Sequence, residues 1–183
     1  DKKLRRSKKR LDVAIRPIIF EALSSSPELL SISSGKLKID FGIPSGSNPV
    51  PLIIDAIMNS TTVITKKVSP NLRQGGLQVL VQPTSFSNLI GKSFGVTTTE
   101  LGVKLPWLEW LLTSGDAVIV GDFGVEYKPG TGRSGGGTMK AVQRPFKVDS
   151  AYSGTLENNF ITRALTKKAA KIVSTIAGVV KNA

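Results

Sequence analysis

Apolar and polar residues follow two different periods along this chain, and the changes of period mark its elements. Leu11, Ile15, Ile18, Ile19, Ala22 and Leu23 recur at three- and four-residue steps, the spacing that lines one face of a helix. Pro17 puts the start of this helix, or a kink in it, near its own position, and Ser24-Ser-Ser-Pro27 ends it. Leu37-Lys-Ile-Asp-Phe41 alternates apolar with charged residues, which reads as a half-buried strand closed by Gly42 and Pro44. After the loop Ser45-Gly-Ser-Asn-Pro49, Val50 to Asn59 reads as a short helix. Thr61 to Val68 is rich in β-branched residues, Pro70 to Gly76 is a turn, and Leu77-Gln-Val-Leu-Val81 completes a hairpin with a long connection.

Pro83 to Lys104 is weakly patterned and reads as a loop with one turn of helix. Leu105-Pro-Trp-Leu-Glu-Trp-Leu-Leu112 then holds both tryptophans of the chain, three residues apart and so on one helical face. Trp107 reads as the core anchor and Trp110 as the ring that reaches a neighbouring subunit. Ala117-Val-Ile-Val120 and Phe123-Gly-Val-Glu-Tyr127 flank Gly121-Asp122, a two-residue hairpin signal. Pro129 to Gly137 is glycine-rich and reads as a mobile or functionally shaped loop, and Thr138 to Phe146 is extended. Leu156 to Val180 reads as one long helix with the stripe Ile161, Leu165, Ile172, Ile176 and Val179, capped by Thr155. The expected fold is α+β: an antiparallel β-sheet or sandwich packed by an N-terminal helix and a long C-terminal helix, with long loops. Residues 1–10 form a basic extension and 11–183 a single domain, with mobile segments near 83–104 and 129–137.

Composition narrows the chemistry. The chain contains neither cysteine nor histidine, which removes disulfides, thiolate metal sites and histidine-based acid–base or metal chemistry. Its 13 acidic residues form no close cluster in sequence, so an enzyme is not expected, nor any cofactor or metal. Gly130-Thr-Gly132-Arg-Ser-Gly135 matches G-x-G-x-x-G in letters, but a dinucleotide site needs a helix to open there, and a strand-like run follows instead. The formal charge of +12 is concentrated at the two ends. Lys2, Lys3, Arg5, Arg6, Lys8, Lys9 and Arg10 crowd the first ten residues, and Arg163, Lys167, Lys168, Lys171 and Lys181 lie beyond Leu156. Such ends suit phosphate or an acidic protein surface. No run reaches the roughly 20 apolar residues of a membrane span. The start does not read as a secretory signal, and the C-terminal helix reads as packing on protein rather than on a membrane.

Five groups of residues carry a resemblance. They are the basic first helix; Gly35-Lys-Leu-Lys38 with Phe41-Gly-Ile-Pro44; and the two-tryptophan segment. Gly115-Asp116 with Gly132-Arg-Ser-Gly135 and Met139 follow, and then Gly154-Thr155 through Asn158-Asn-Phe-Ile-Thr-Arg-Ala-Leu165. The pattern spans most of the chain and resembles structural proteins from the neck of tailed bacteriophages, of the tail-completion or minor tail adaptor type. The resemblance implies a virion protein without catalysis, assembled in the host cytoplasm into a homo-oligomeric ring at the head–tail junction. Portal or adaptor and tail proteins would be its neighbours, and DNA would pass through its lumen with non-specific contact at most. Subunit-interface candidates are Trp107, Trp110, Arg133, Asn158, Asn159 and Arg163, with Arg133 and Arg163 expected in intersubunit ion pairs and the two asparagines in capping or loop-fixing hydrogen bonds. Two other readings stand beside it: a tail-terminator ring, and a non-specific nucleic-acid-binding protein that uses the basic ends.

Overall fold

The computed structural model describes residues 2–66, 76–142 and 145–182, the side chains of 2–5 excepted. The chain is α+β, with helices at both ends of the sequence. Helix α1 runs over Lys2–Ser24, α2 over Pro27–Ser34, α3 over Lys36–Asp40 and α4 over Val50–Ser60. Strands β1 (Thr62–Lys66) and β2 (Gly76–Leu80) follow, then β3 (Thr97–Thr98) and β4 (Lys104–Leu105). Helix α5 (Trp107–Thr113), strands β5 (Phe123–Tyr127) and β6 (Gly137–Ala141), and helices α6 (Phe160–Lys167) and α7 (Ala169–Lys181) complete the order.

The strands pair antiparallel as three two-stranded ribbons, β1–β2, β3–β4 and β5–β6. Helices therefore supply most of the core. Leu11, Ile15, Ile18 and Ile19 of α1 are buried with Ile53 and Ile57 of α4, Leu29 and Ile32 of α2, and Phe160 and Ile161 of α6. Helix α1 contacts α2, α4, α6, α7 and the β1–β2 ribbon, so one long element organises the body.

Several expectations change. Helix α1 continues through Pro17 and across residue 10, where a basic extension was expected to end. Pro17 is exposed, as is Val13, so the carbonyl left without an amide partner lies on the side where water can reach it. Residues 37–41 are not a strand: α3 covers Lys36–Asp40. Leu37 and Phe41 are both buried and sit four apart, so a five-residue alternation also satisfies one turn of helix. The hairpin expected at Gly121-Asp122 does not form. Val120 instead bridges Phe146, and β5 pairs with β6 in the register Val125 opposite Met139.

The C-terminal helix is divided at Lys168, whose φ of −105° and ψ of 8° separate α6 from α7. Its cap is Asn159 rather than Thr155. Thr155 Oγ1 accepts from the Asn158 amide at 3.1 Å and so closes a turn ahead of the helix. The segment at 83–104 buries Phe86 and Leu89 and includes a short 3₁₀ turn at Ser93–Gly95 and the β3–β4 ribbon. The turn expected at Pro70 to Gly76 lies, but for Gly76, outside the described residues.

Candidate functional site

The segments that carry the resemblance meet around one aromatic pair. Trp107 opens α5, where Pro106 occupies the cap position, and its ring is 1% exposed. It stacks on Phe41 with centroids 5.5 Å apart and planes at 23°. Phe41 is fixed from its backbone side by Thr97, whose Oγ1 donates to the Phe41 carbonyl at 3.0 Å. Trp110, half-buried, presents an edge to Phe146 at 6.4 Å.

Arg133 joins the glycine loop to this hub. Its carbonyl accepts from the Ser45 amide at 2.9 Å, and its guanidinium donates to the Thr98 carbonyl. The guanidinium also lies against Gly42, at the place a side chain would occupy. The loop can make this approach because Gly132 takes a φ of +66° and a β-carbon there would collide with the Gly137 carbonyl, a position no larger residue fits. A cleft of about 410 Å³ opens here, lined by Ile43, Pro44, Phe94, Thr97, Trp107 and Arg133.

Arg163, expected at a subunit contact, is engaged within its own chain. Its Nη2 pairs with Glu28 Oε1 at 2.7 Å, and Nε donates to the same oxygen at 2.9 Å. The remaining donors reach the carbonyls of Tyr152 and Ser153 at 2.9 and 3.1 Å. Asn158 Oδ1 accepts from Arg163 as well, at 3.3 Å. Asn159 is fully buried. Its Oδ1 accepts from the Ile161 and Thr162 amides, its Nδ2 donates to the Thr155 and Leu156 carbonyls, and Thr162 Oγ1 returns the bond to complete a capping box. Of the capping or loop-fixing bonds expected of the two asparagines, Asn159 makes the capping kind and Asn158 fixes the loop through Arg163.

A second charged cluster was not read from the sequence. Lys36 Nζ lies 2.7 Å from Asp40 and 3.2 Å from Asp149, and 5.7 Å above the Tyr127 ring. Tyr127 donates its hydroxyl to Asp40. Burial pulls the Lys36 ammonium down, but the hydrogen bond and charge of Asp40, with Tyr127 behind them, hold it above its ordinary value. Burial and then the hydrogen bond to Asp40 raise the Tyr127 phenol. Both groups move away from neutral pH, the opposite of what general acid–base catalysis needs. The i, i+4 pair of Lys36 and Asp40 was legible only once residues 36–40 are taken as helix.

These shifts carry a sign. The folded protein keeps protons on Lys36 and Tyr127 that the unfolded chain releases from about pH 10 upward. The contribution is therefore fully present at neutral pH and is lost as pH rises. Tyr127→Phe removes the phenol's share, so its urea midpoint falls less between about pH 8 and about pH 11 than that of the unaltered chain. An equal fall in both proteins would refute the assignment.

The basic positions form a third feature. Arg6, Lys8, Lys9 and Arg10 are exposed on α1; the side chains of Lys2, Lys3 and Arg5 lie outside the described residues. Helix α7 runs antiparallel beside α1: Arg10 donates to the Asn182 carbonyl at 2.9 Å, while Glu21 accepts from Lys168 at 2.6 Å and Lys171 at 3.0 Å. Hydrogen bonds from Lys168 and then Lys171 hold the Glu21 carboxyl below its usual range. Among the described residues, no group of three or more carboxylates could hold a metal ion, and no helix is long and apolar enough to cross a membrane. No protein-family model, no curated protein and no solved structure matches this chain.

Proposed function

We propose that this chain is a non-enzymatic virion structural protein, a subunit of the ring in the neck that joins the DNA-filled head of a tailed bacteriophage to its tail. One observation carries the reading. Phe41-Gly-Ile-Pro44, the two-tryptophan segment and Gly132-Arg-Ser-Gly135, far apart in sequence, pack against one another through the Phe41–Trp107 stack and Arg133. Gly154 joins the same unit, since its carbonyl accepts from the Gly115 amide at 2.9 Å, just beyond α5. A shared pattern of short motifs is thus a pattern of mutual contacts, which is what a common fold requires.

Surface composition supports assembly rather than catalysis. Leu101 is 92% exposed on the β3–β4 turn, and Phe123, Tyr127 and Met139 are exposed on the β5–β6 ribbon. A head-to-tail ring needs two different, mutually complementary patches on each subunit, and the exposed apolar ribbons supply one of them. The test is native mass spectrometry and negative-stain imaging of the purified chain, alone and mixed with portal-side and tail-side proteins. A closed ring of defined order is expected. A chain that stays monomeric in every mixture overturns the reading.

A further inference from the structure

The two cationic ends of the sequence converge in the fold, and we propose that the surface they form binds the phosphate backbone of duplex DNA without reading its sequence. Antiparallel packing of α1 and α7 puts Asn182 against Arg10, which brings Lys181 to the same end as Arg6, Lys8 and Lys9. Among the described residues, no carboxylate pairs with any of these four cations, whereas Lys168 and Lys171 at the other end are held by Glu21. Glu21 offsets part of the charge at that end, so the excess is greatest at the end that carries Arg6, Lys8, Lys9 and Lys181.

Two observations choose DNA. The first is charge density: residues 2–10 carry seven cations over eight helical steps of about 1.5 Å. That is one charge per about 1.7 Å, the spacing of phosphate charge along a duplex axis. The second observation separates DNA from a lipid surface. The apolar face of α1, Leu11, Ile15, Ile18 and Ile19, is buried in the protein core, whereas a helix that lies on a lipid surface needs that face free to insert.

This inference goes beyond the neck reading and does not depend on it. The experiment is fluorescence anisotropy of a labelled duplex of about 24 base pairs, titrated with the full chain across a salt series. Affinity is expected to fall by at least about a thousandfold between about 50 and 200 mM salt. K8E/K9E is expected to weaken binding at least tenfold and to flatten the salt slope by about one per residue changed. K181E, at the far end of the sequence, is expected to weaken it about threefold. K92E/K128E, which changes net charge equally at exposed positions elsewhere, leaves affinity within about twofold. The milder K8Q/K9Q serves if charge reversal disturbs α1. Equal losses from the control pair, affinity that ignores salt, or tighter binding to an acidic peptide or to phosphatidylserine vesicles than to the duplex overturns the proposal. Ring formation by the same variants, scored by imaging, separates a failure here from a failure of the neck reading.

Discussion

Truncating Trp107 to alanine lowers the unfolding free energy by about 3–5 kcal/mol, the range for emptying a buried tryptophan site. The ring is 1% exposed and shares its stack with Phe41, so the loss includes an aromatic pair term of about 0.5–1.5 kcal/mol. Collapse into the cavity is hindered because Leu108, the next residue, already sits against Gly95 with no room for a β-carbon between them. Trp107→Phe is much milder. Its Nε1 is buried without a hydrogen-bond partner among the described residues, and removing an unmade donor offsets part of the lost contact area. Trp110→Ala, at a half-buried ring that meets Phe146 edge-on, costs about 1 kcal/mol. Urea unfolding followed by far-ultraviolet circular dichroism ranks the three. Equal losses at Trp107 and Trp110 would contradict the distinction between a core ring and a peripheral one.

Arg163→Met has the second large effect, about 2–3 kcal/mol. Glu28 is 2% exposed and would be left as a buried charge, while the carbonyls of Tyr152 and Ser153 would lose their donor. Two features hold the loss below that of a fully buried pair: the Arg163 side chain is 28% exposed, and Glu28 keeps the favourable N-terminus of α2. Pairing Arg163→Met with Glu28→Gln restores part of the stability, because the stranded charge is then gone. If the double variant loses the full sum of the single losses, the two side chains act independently and the ion pair is not what joins α2 to α6.

Long apolar stripes were legible in the sequence, and short alternations were legible at β2 and β5 but not at residues 37–41. Leu11 to Leu23 repeats often enough to admit only a helix, and α1 follows it. Leu37 to Phe41 is five residues long, and in that length a strand's alternation and a helix's i, i+4 contact select the same apolar pair. The β5 partner failed for a different reason. Gly121-Asp122 has hairpin chemistry, and Asp122 does take a φ of +58°, but the downstream Phe146 captures Val120. Competition between two possible partners is a tertiary matter that local turn signals do not contain. At the site, Trp107 as core anchor and Asn159 as a cap were visible from residue type and spacing. Glu28, Asp40 and Tyr127 were not, since each finds its role through a residue at least ten times more distant than a helical turn, Lys36 and Asp40 excepted.

The packing of α6 and α7 on α1 has a consequence for how the protein is made. Phe160, Ile161 and Ala164 are buried with the apolar face of α1, yet more than 130 residues separate the two on the chain. At about 5–20 residues per second, a ribosome takes many seconds to travel from one to the other. Through that interval α1 can be shielded by α2, α4 and the β1–β2 ribbon, while the surface meant for α6 stays open. Completion of the body is therefore an event of late translation, and a nascent chain halted before residue 160 exposes a greasy stripe that a chaperone can hold.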